Sequence, residues 1–157
     1  MARMAAGLQI STATTGDDIT ALAHLRAAWI TGEATSVEDD FTAHFHRWFE
    51  QERQHRVFWL ARLDGRAVAM VNLSRFDRMP SPGREPSCWG YLGNMFVRPD
   101  AQKQGVGTAL LAVALSWADE QGLVRVVLNP TEVSVPLYQS QGFRAENNLL
   151  VRTPPSD

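Results

Sequence analysis

Gly105 and Gly107 enclose Val106 where the apolar run Met95-Phe96-Val97 and a proline-bearing turn give way to a strongly helical stretch. A strand that feeds a glycine turn and then a helix exposes backbone N–H groups that have no helical partner. With the helix dipole behind them, these groups form a site for an anion, and glycine leaves room for a phosphate. A strand–helix turn without a ligand has the same spelling, so the two glycines alone leave both readings open. Two common phosphate motifs do not fit. The P-loop pattern G-x-x-x-x-G-K-[ST] is absent. A dinucleotide fingerprint needs a third glycine where Leu110 stands and an acid where Asn129 stands.

Other chemistry-bearing residues are scattered. Glu33, Glu38, Asp39 and Asp40 form an acidic stretch that would draw in a cationic amine or serve as a solvated loop. Trp29 and Trp48 would wall an acceptor pocket or pack in the core. His44 and His46 lie two apart and so face different ways on a helix, and His24 and His55 have no ligand spacing, so no metal site is expected. The single cysteine, Cys88, allows no internal disulfide and fits a reducing compartment.

The elements that must position these residues follow from periodicity. Leu8-Gln9-Ile10 reads as a short first strand. Thr15 or Asp17 caps a helix marked by Ile19, Leu22, Leu25, Ala28 and Trp29, and Gly32 ends it. Phe41, Phe45, Trp48 and Phe49 share one face of a second helix. Val57–Leu63 and Ala67–Ser74 form a hairpin about Asp64-Gly65. "DRMPSPGREPS" is a loop, and "CWGYLGNMFV" is a fourth strand whose Gly90 and Gly93 suggest a bulge or a close approach. A helix from Gly105 to Gln121 carries the stripe Leu110, Leu111, Ala114, Leu115 and Ala118. "LVRVVLN" reads as a strand covered on both faces. Ser134–Gln141 is a short helix, Phe143–Val151 a final strand, and residues from about 153 to 157 a frayed tail.

The 157 residues favour one domain over 1–157 with a real core. A net charge of -2 gives no basic field for nucleic acid or an anionic membrane. The longest apolar run, Ala109 to Leu115, is too short to span a bilayer. Gln9 interrupts the apolar N-terminal stretch, which argues against a signal peptide, so the expected location is cytoplasmic.

"QKQGVG", Gln102 to Gly107, resembles the (Arg/Gln)-x-x-Gly-x-(Gly/Ala) signature of the GCN5-related N-acetyltransferases. "LGNMFVRPDAQKQGVGTALL" looks like that family's fourth strand, pyrophosphate loop and third helix, and "VPLYQSQGF" resembles its second signature about thirty residues on. The resemblance is clear over roughly residues 90 to 145. It implies an α/β fold: a mixed, largely antiparallel sheet flanked by helices, with strands four and five splayed to admit acetyl-coenzyme A.

Gln104, Gly105, Val106, Gly107 and Thr108 would then donate N–H groups to the pyrophosphate, flanked by Gln102 and Lys103. The backbone of Met95, Phe96 and Val97 would pair with the pantetheine arm. Tyr138 holds the family's tyrosine position, beside the coenzyme sulfur, as the acid. The fourth strand lacks the glutamate that many relatives carry, which leaves Asn94 to hold a water or a substrate carbonyl. Thr131 and Ser134 stand where relatives often have Asn and Ala, and Asn129 is an alternative coenzyme contact. Trp29 and Glu33 are candidate contacts for the acceptor, a small-molecule or peptide amine. The implied activity is direct acetyl transfer in a ternary complex without a metal. A non-catalytic coenzyme sensor or assembly module is the alternative, and a longer acyl group is a further variant. Family members often dimerise, and a homodimer is compatible with the sequence.

Overall fold

The computed structural model describes residues 5–32, 38–146 and 148–155. One sheet contains β1 (Leu8–Thr12), β2 (Arg56–Leu63), β3 (Arg66–Asp77), β4 (Cys88–Val97) and β5 (Val126–Val127), in that order. The first four strands pair antiparallel, and β5 runs parallel to β4. α1 (Gly16–Thr31) and α2 (Asp39–Glu52) separate β1 from β2, while α3 (Val106–Glu120) and α4 (Val135–Ser140) flank β5 in the chain. The mixed, largely antiparallel sheet flanked by helices is the expected architecture.

Local chemistry sets the element ends. The Thr15 hydroxyl accepts the Asp18 N–H at 3.1 Å, and the Asp18 carboxylate accepts the Thr15 N–H at 3.0 Å, a capping box for α1. Asp18 also receives Arg62 of β2 at 2.8 Å, which ties the helix start to the sheet. Asp64 and Gly65 both take positive φ, the geometry that lets a two-residue turn follow strand twist.

The strands alternate. Phe58, Leu60 and Met70 face Ile19, Leu22, Leu25 and Phe49 on the α1/α2 side. Trp59, Val71 and Leu73 face Val106, Leu110, Leu111 and Ala114 on the α3 side. Each fully buried leucine contributes about 1.5–3 kcal/mol, so both layers stabilise the sheet between them.

Three expectations are corrected. The helix α3 starts at Val106, because Gly105 is its cap with φ of 79°. The seven-residue run "LVRVVLN" is a strand only at Val126–Val127; it has β4 on one side and Val124 is 52% exposed, so it is not covered on both faces. Phe143–Val151 forms no strand among the described residues. After Phe143 the polar stretch Arg144-Ala145-Glu146 lies exposed, and Leu149 and Leu150 beyond it are 85% and 100% exposed, with no strand pairing to bury them.

Candidate functional site

β4 is where the sheet opens. Its partners on β3 run regularly from Asp77↔Cys88 to Asn72↔Gly93, then resume at Met70↔Phe96. One residue of β3 therefore faces two of β4, a bulge at Asn94 and Met95. Asn94 sits in the left-handed region with φ of 55°. On its other side β4 pairs with β5 only at Gly90↔Val126 and Tyr91↔Val127. From Leu92 to Val97 this edge has no β5 partner, so the two strands part. Gly90 fixes the point of parting: a Cβ there would lie 2.8 Å from Leu73 Cδ2 and 3.0 Å from Leu123 Cδ1. The sequence hinted at a bulge or a close approach, and β4 has both.

The glycine turn lies at the open end of β4. Lys103 and Gly105 both take positive φ, which folds the loop back on itself. The Gln102 side-chain amide donates to the Val97 carbonyl at 3.2 Å, and that of Gln104 to the Asp100 carbonyl at 3.2 Å, bracing the turn. No side chain caps α3, so its first N–H groups face outward unsatisfied. A cavity of about 210 Å³ is lined by Val97, Gln102, Lys103, Gly105, Gly107 and Thr108, with Leu137 of α4 on its far wall. Lys103 is the only lysine in the chain. An uncapped N-terminus, a left-handed glycine and one cation around a cavity fit a diphosphate.

Met95 and Val97 project toward Gly107, whose Cβ would meet their side chains at 3.6 and 3.5 Å. Phe96 points to the opposite face, where it stacks on Trp29 at 5.7 Å. Tyr138 is buried with the α3-side core and meets Phe143 edge-on at 5.8 Å. Burial raises its phenol above the ordinary value of 10.0. Its hydroxyl has no hydrogen-bond partner among the described residues. Thr131 and Ser134 bond to each other at 2.9 Å and shape the turn into α4. Asn129 is exposed beyond β5 and lines neither cavity described here.

A second cavity, about 290 Å³, opens on the α1/α2 face and reaches the bulge at Asn94. Phe41, Phe45 and Trp48 of α2 and Phe58 of β2 supply its aromatic walls. Asn72, only 5% exposed, presents an amide into it. The sequence reading missed Asn72, although a lone amide inside "AVAMVNLSRF" was a signal. It weighed Trp48, which lines this cavity. Trp29 does not; it lies between Phe96 and the Arg26 guanidinium, which sits 4.8 Å from its ring. Glu33 lies outside the described residues. Glu38, Asp39 and Asp40 are exposed around the first turn of α2. Cys88 is buried and lines neither cavity. No cluster of three or more metal-ligating side chains occurs among the described residues, and none of their helices is long and apolar enough to cross a membrane.

Known acetyltransferase structures share this fold. A protein described as a predicted acetyltransferase from Clostridium acetobutylicum, solved with acetyl-CoA, superposes with a TM-score of 0.73 at 20% identity over 93% of this chain and 96% of that one. An aminoglycoside acetyltransferase from an uncultured soil metagenomic sample, solved with sisomicin, gives 0.71 at 18% identity over 96% and 97%. The acetyltransferase (GNAT) family model matches residues 21–143, and the chain belongs to that family. Among curated relatives, rat (Rattus norvegicus) N-acetyltransferase family 8 member 2 is 29% identical over 100 residues, 62% of this chain and 42% of the relative. The chain spans about half the length of the curated relatives it matches or less.

Proposed function

We propose that the protein is an acetyl-CoA-dependent N-acetyltransferase that acetylates a primary amine by direct attack in a ternary complex. The observation that carries this reading is the parting of β4 and β5 beyond Tyr91 and Val127, directly beside the uncapped turn before α3.

Backbone N–H groups from Gln104 to Thr108 hold the diphosphate, with Gln102 and Lys103 at its flanks. The unpaired edge of Met95–Val97 takes the amide-bearing arm as it would an added strand. When bound, acetyl-CoA supplies a thioester carbonyl open to attack. The chain's own residues manage the protons. An alkyl amine near pKa 10.4 is neutral at pH 7 in about one molecule per few thousand, a cost of about 4–5 kcal/mol. Asn94, at the bulge where the cavity meets β4, holds the water that carries the amine's proton away. Tyr138 keeps its own proton at neutral pH and donates a hydrogen bond to the thiolate as it leaves. Buried Cys88 has no place in this scheme, which supports direct transfer over an acetyl-cysteine intermediate.

The test is release of coenzyme thiol from acetyl-CoA across a panel of primary amines. Amine-dependent release supports the reading. Coenzyme binding with no transfer to any amine would favour the sensor alternative.

A further inference from the structure

The cavity on the α1/α2 face rests on the transfer reading for its role, but its lining speaks to the acceptor itself. Four aromatic rings wall it: Phe41, Phe45, Trp48 and Phe58. Its volume, about 290 Å³, is roughly twice that of an apolar cavity that admits benzene. Its polar groups among the described residues are Arg26, His44, Asn72 and Asn94, with no carboxylate among them. Arg26 pairs with no carboxylate among the described residues, and its guanidinium lies 4.8 Å from the Trp29 ring. Arg56 donates to the side-chain oxygen of Asn72 at 3.5 Å, but it is held by Glu52 at 2.8 Å and lies 5.2 Å from the Trp48 ring, so its charge is already paired. Arg26 is therefore the cation left for a ligand. A polycation entering this cavity would lose hydration and meet a guanidinium, with no compensating acid among the described lining residues. An aromatic group would fill the cavity, and an adjacent carboxylate would complete Arg26.

We propose that the acceptor is an apolar α-amino acid of the phenylalanine type, with its side chain among the four rings, its carboxylate on Arg26 and its amine at the Asn72–Asn94 end. The amine nitrogen bonds to the thioester carbonyl carbon, the carbon–sulfur bond breaks, the sulfur leaves with its electron pair under the Tyr138 hydrogen bond and takes a proton from water, and the amine loses one to water.

The experiment compares thiol release with L-phenylalanine, 2-phenylethylamine, glycine and spermidine. L-Phenylalanine is expected to exceed glycine and spermidine in kcat/KM by about 100-fold, and 2-phenylethylamine by about tenfold. Arg26→Gln should collapse the advantage of L-phenylalanine over 2-phenylethylamine, and Arg26→Lys should restore part of it. Preference for spermidine or glycine would overturn the proposal, as would an Arg26→Gln effect equal for both aromatic amines. Should no amine turn over, titration with N-acetyl-L-phenylalanine separates the two readings. Binding that Phe45→Ala weakens would keep the ligand class while the transfer reading falls, and no binding at about 10 mM would overturn the ligand class as well.

Discussion

Tyr138, in the proposed reaction, sets the first test at the scale of one side chain. A phenol at or above about 10 gives up its proton to a thiolate of about 8.5 only uphill, so it acts best as a hydrogen-bond donor when charge forms on sulfur. Tyr138→Phe keeps the ring and its contact with Phe143. Its kcat should fall by about 100-fold while acetyl-CoA affinity stays within about twofold, read by steady-state kinetics and calorimetry. An unchanged kcat would remove Tyr138 as the donor. Asp18 sets a different residue-scale test. Burial alone would raise its pKa, but the Thr14 and Thr15 N–H groups and Arg62 outweigh burial and hold it at about 2, against 3.8 unperturbed. A lowered folded pKa stabilises the fold above the unfolded value and loses that effect as pH falls through the folded one. Asp18 therefore contributes about 2 kcal/mol above pH ~4, lost between pH ~4 and ~2. Urea unfolding of Asp18→Asn should show that loss at pH 7 and a flatter acid limb, and a variant with the wild-type pH profile would contradict it. Tyr138 was legible because it stands inside a signature. The left-handed turn of Asn94 was not, since only the pairing of β4 with β3 creates the bulge.

At the scale of elements, the bulged strand, the glycine turn and α3 act together. Gly107 is the informative position. It lies in the first turn of α3, where glycine costs about 0.5–1 kcal/mol against alanine, and its φ is not positive. A Cβ there would meet only ordinary contacts at 3.5 Å and beyond, so the fold does not require glycine. The methyl would instead narrow the cavity between Val97 and Leu137. Gly107→Ala should leave stability equal or up by as much as ~1 kcal/mol and weaken acetyl-CoA by about tenfold or more. Unaltered affinity would mean that the turn holds no diphosphate at this position. Helices and hairpin were readable because caps, turn residues and periodicity agree: Thr15 with Asp18, Asp64-Gly65, and the leucine stripe of α3. β5 was overcalled because an apolar run tells of burial and not of pairing, and β4 pairs with it at only two positions. The stretch after Phe143 misled in the same way, since Leu149, Leu150 and Val151 have strand-like character without a neighbour to bond.

For the molecule as a whole, the sheet separates two workplaces. Met95 and Val97 turn to the α3 side with the glycine turn and Tyr138, while Asn94 lines the cavity on the α1/α2 face. The cavity on the α1/α2 face was hard to see in the sequence because its walls come from α1, α2, β2, β3 and β4, which only the fold assembles. Ligand held across these elements stabilises the folded chain by linkage. Acetyl-CoA at about 100 times its Kd should add about 2.7 kcal/mol, enough to raise Tm by several degrees in a thermal melt. Free adenine, which lacks the diphosphate and the arm, should give no such shift.

The most direct measurement is calorimetric titration of the purified protein with acetyl-CoA, with desulfo-coenzyme A as the control ligand. Both should bind with Kd in the micromolar range, about -8 kcal/mol, because the cradle grips the diphosphate and the arm and not the thioester. No heat of binding up to millimolar ligand would mean that the turn before α3 is only a turn, and the acetyltransferase reading would fall with it.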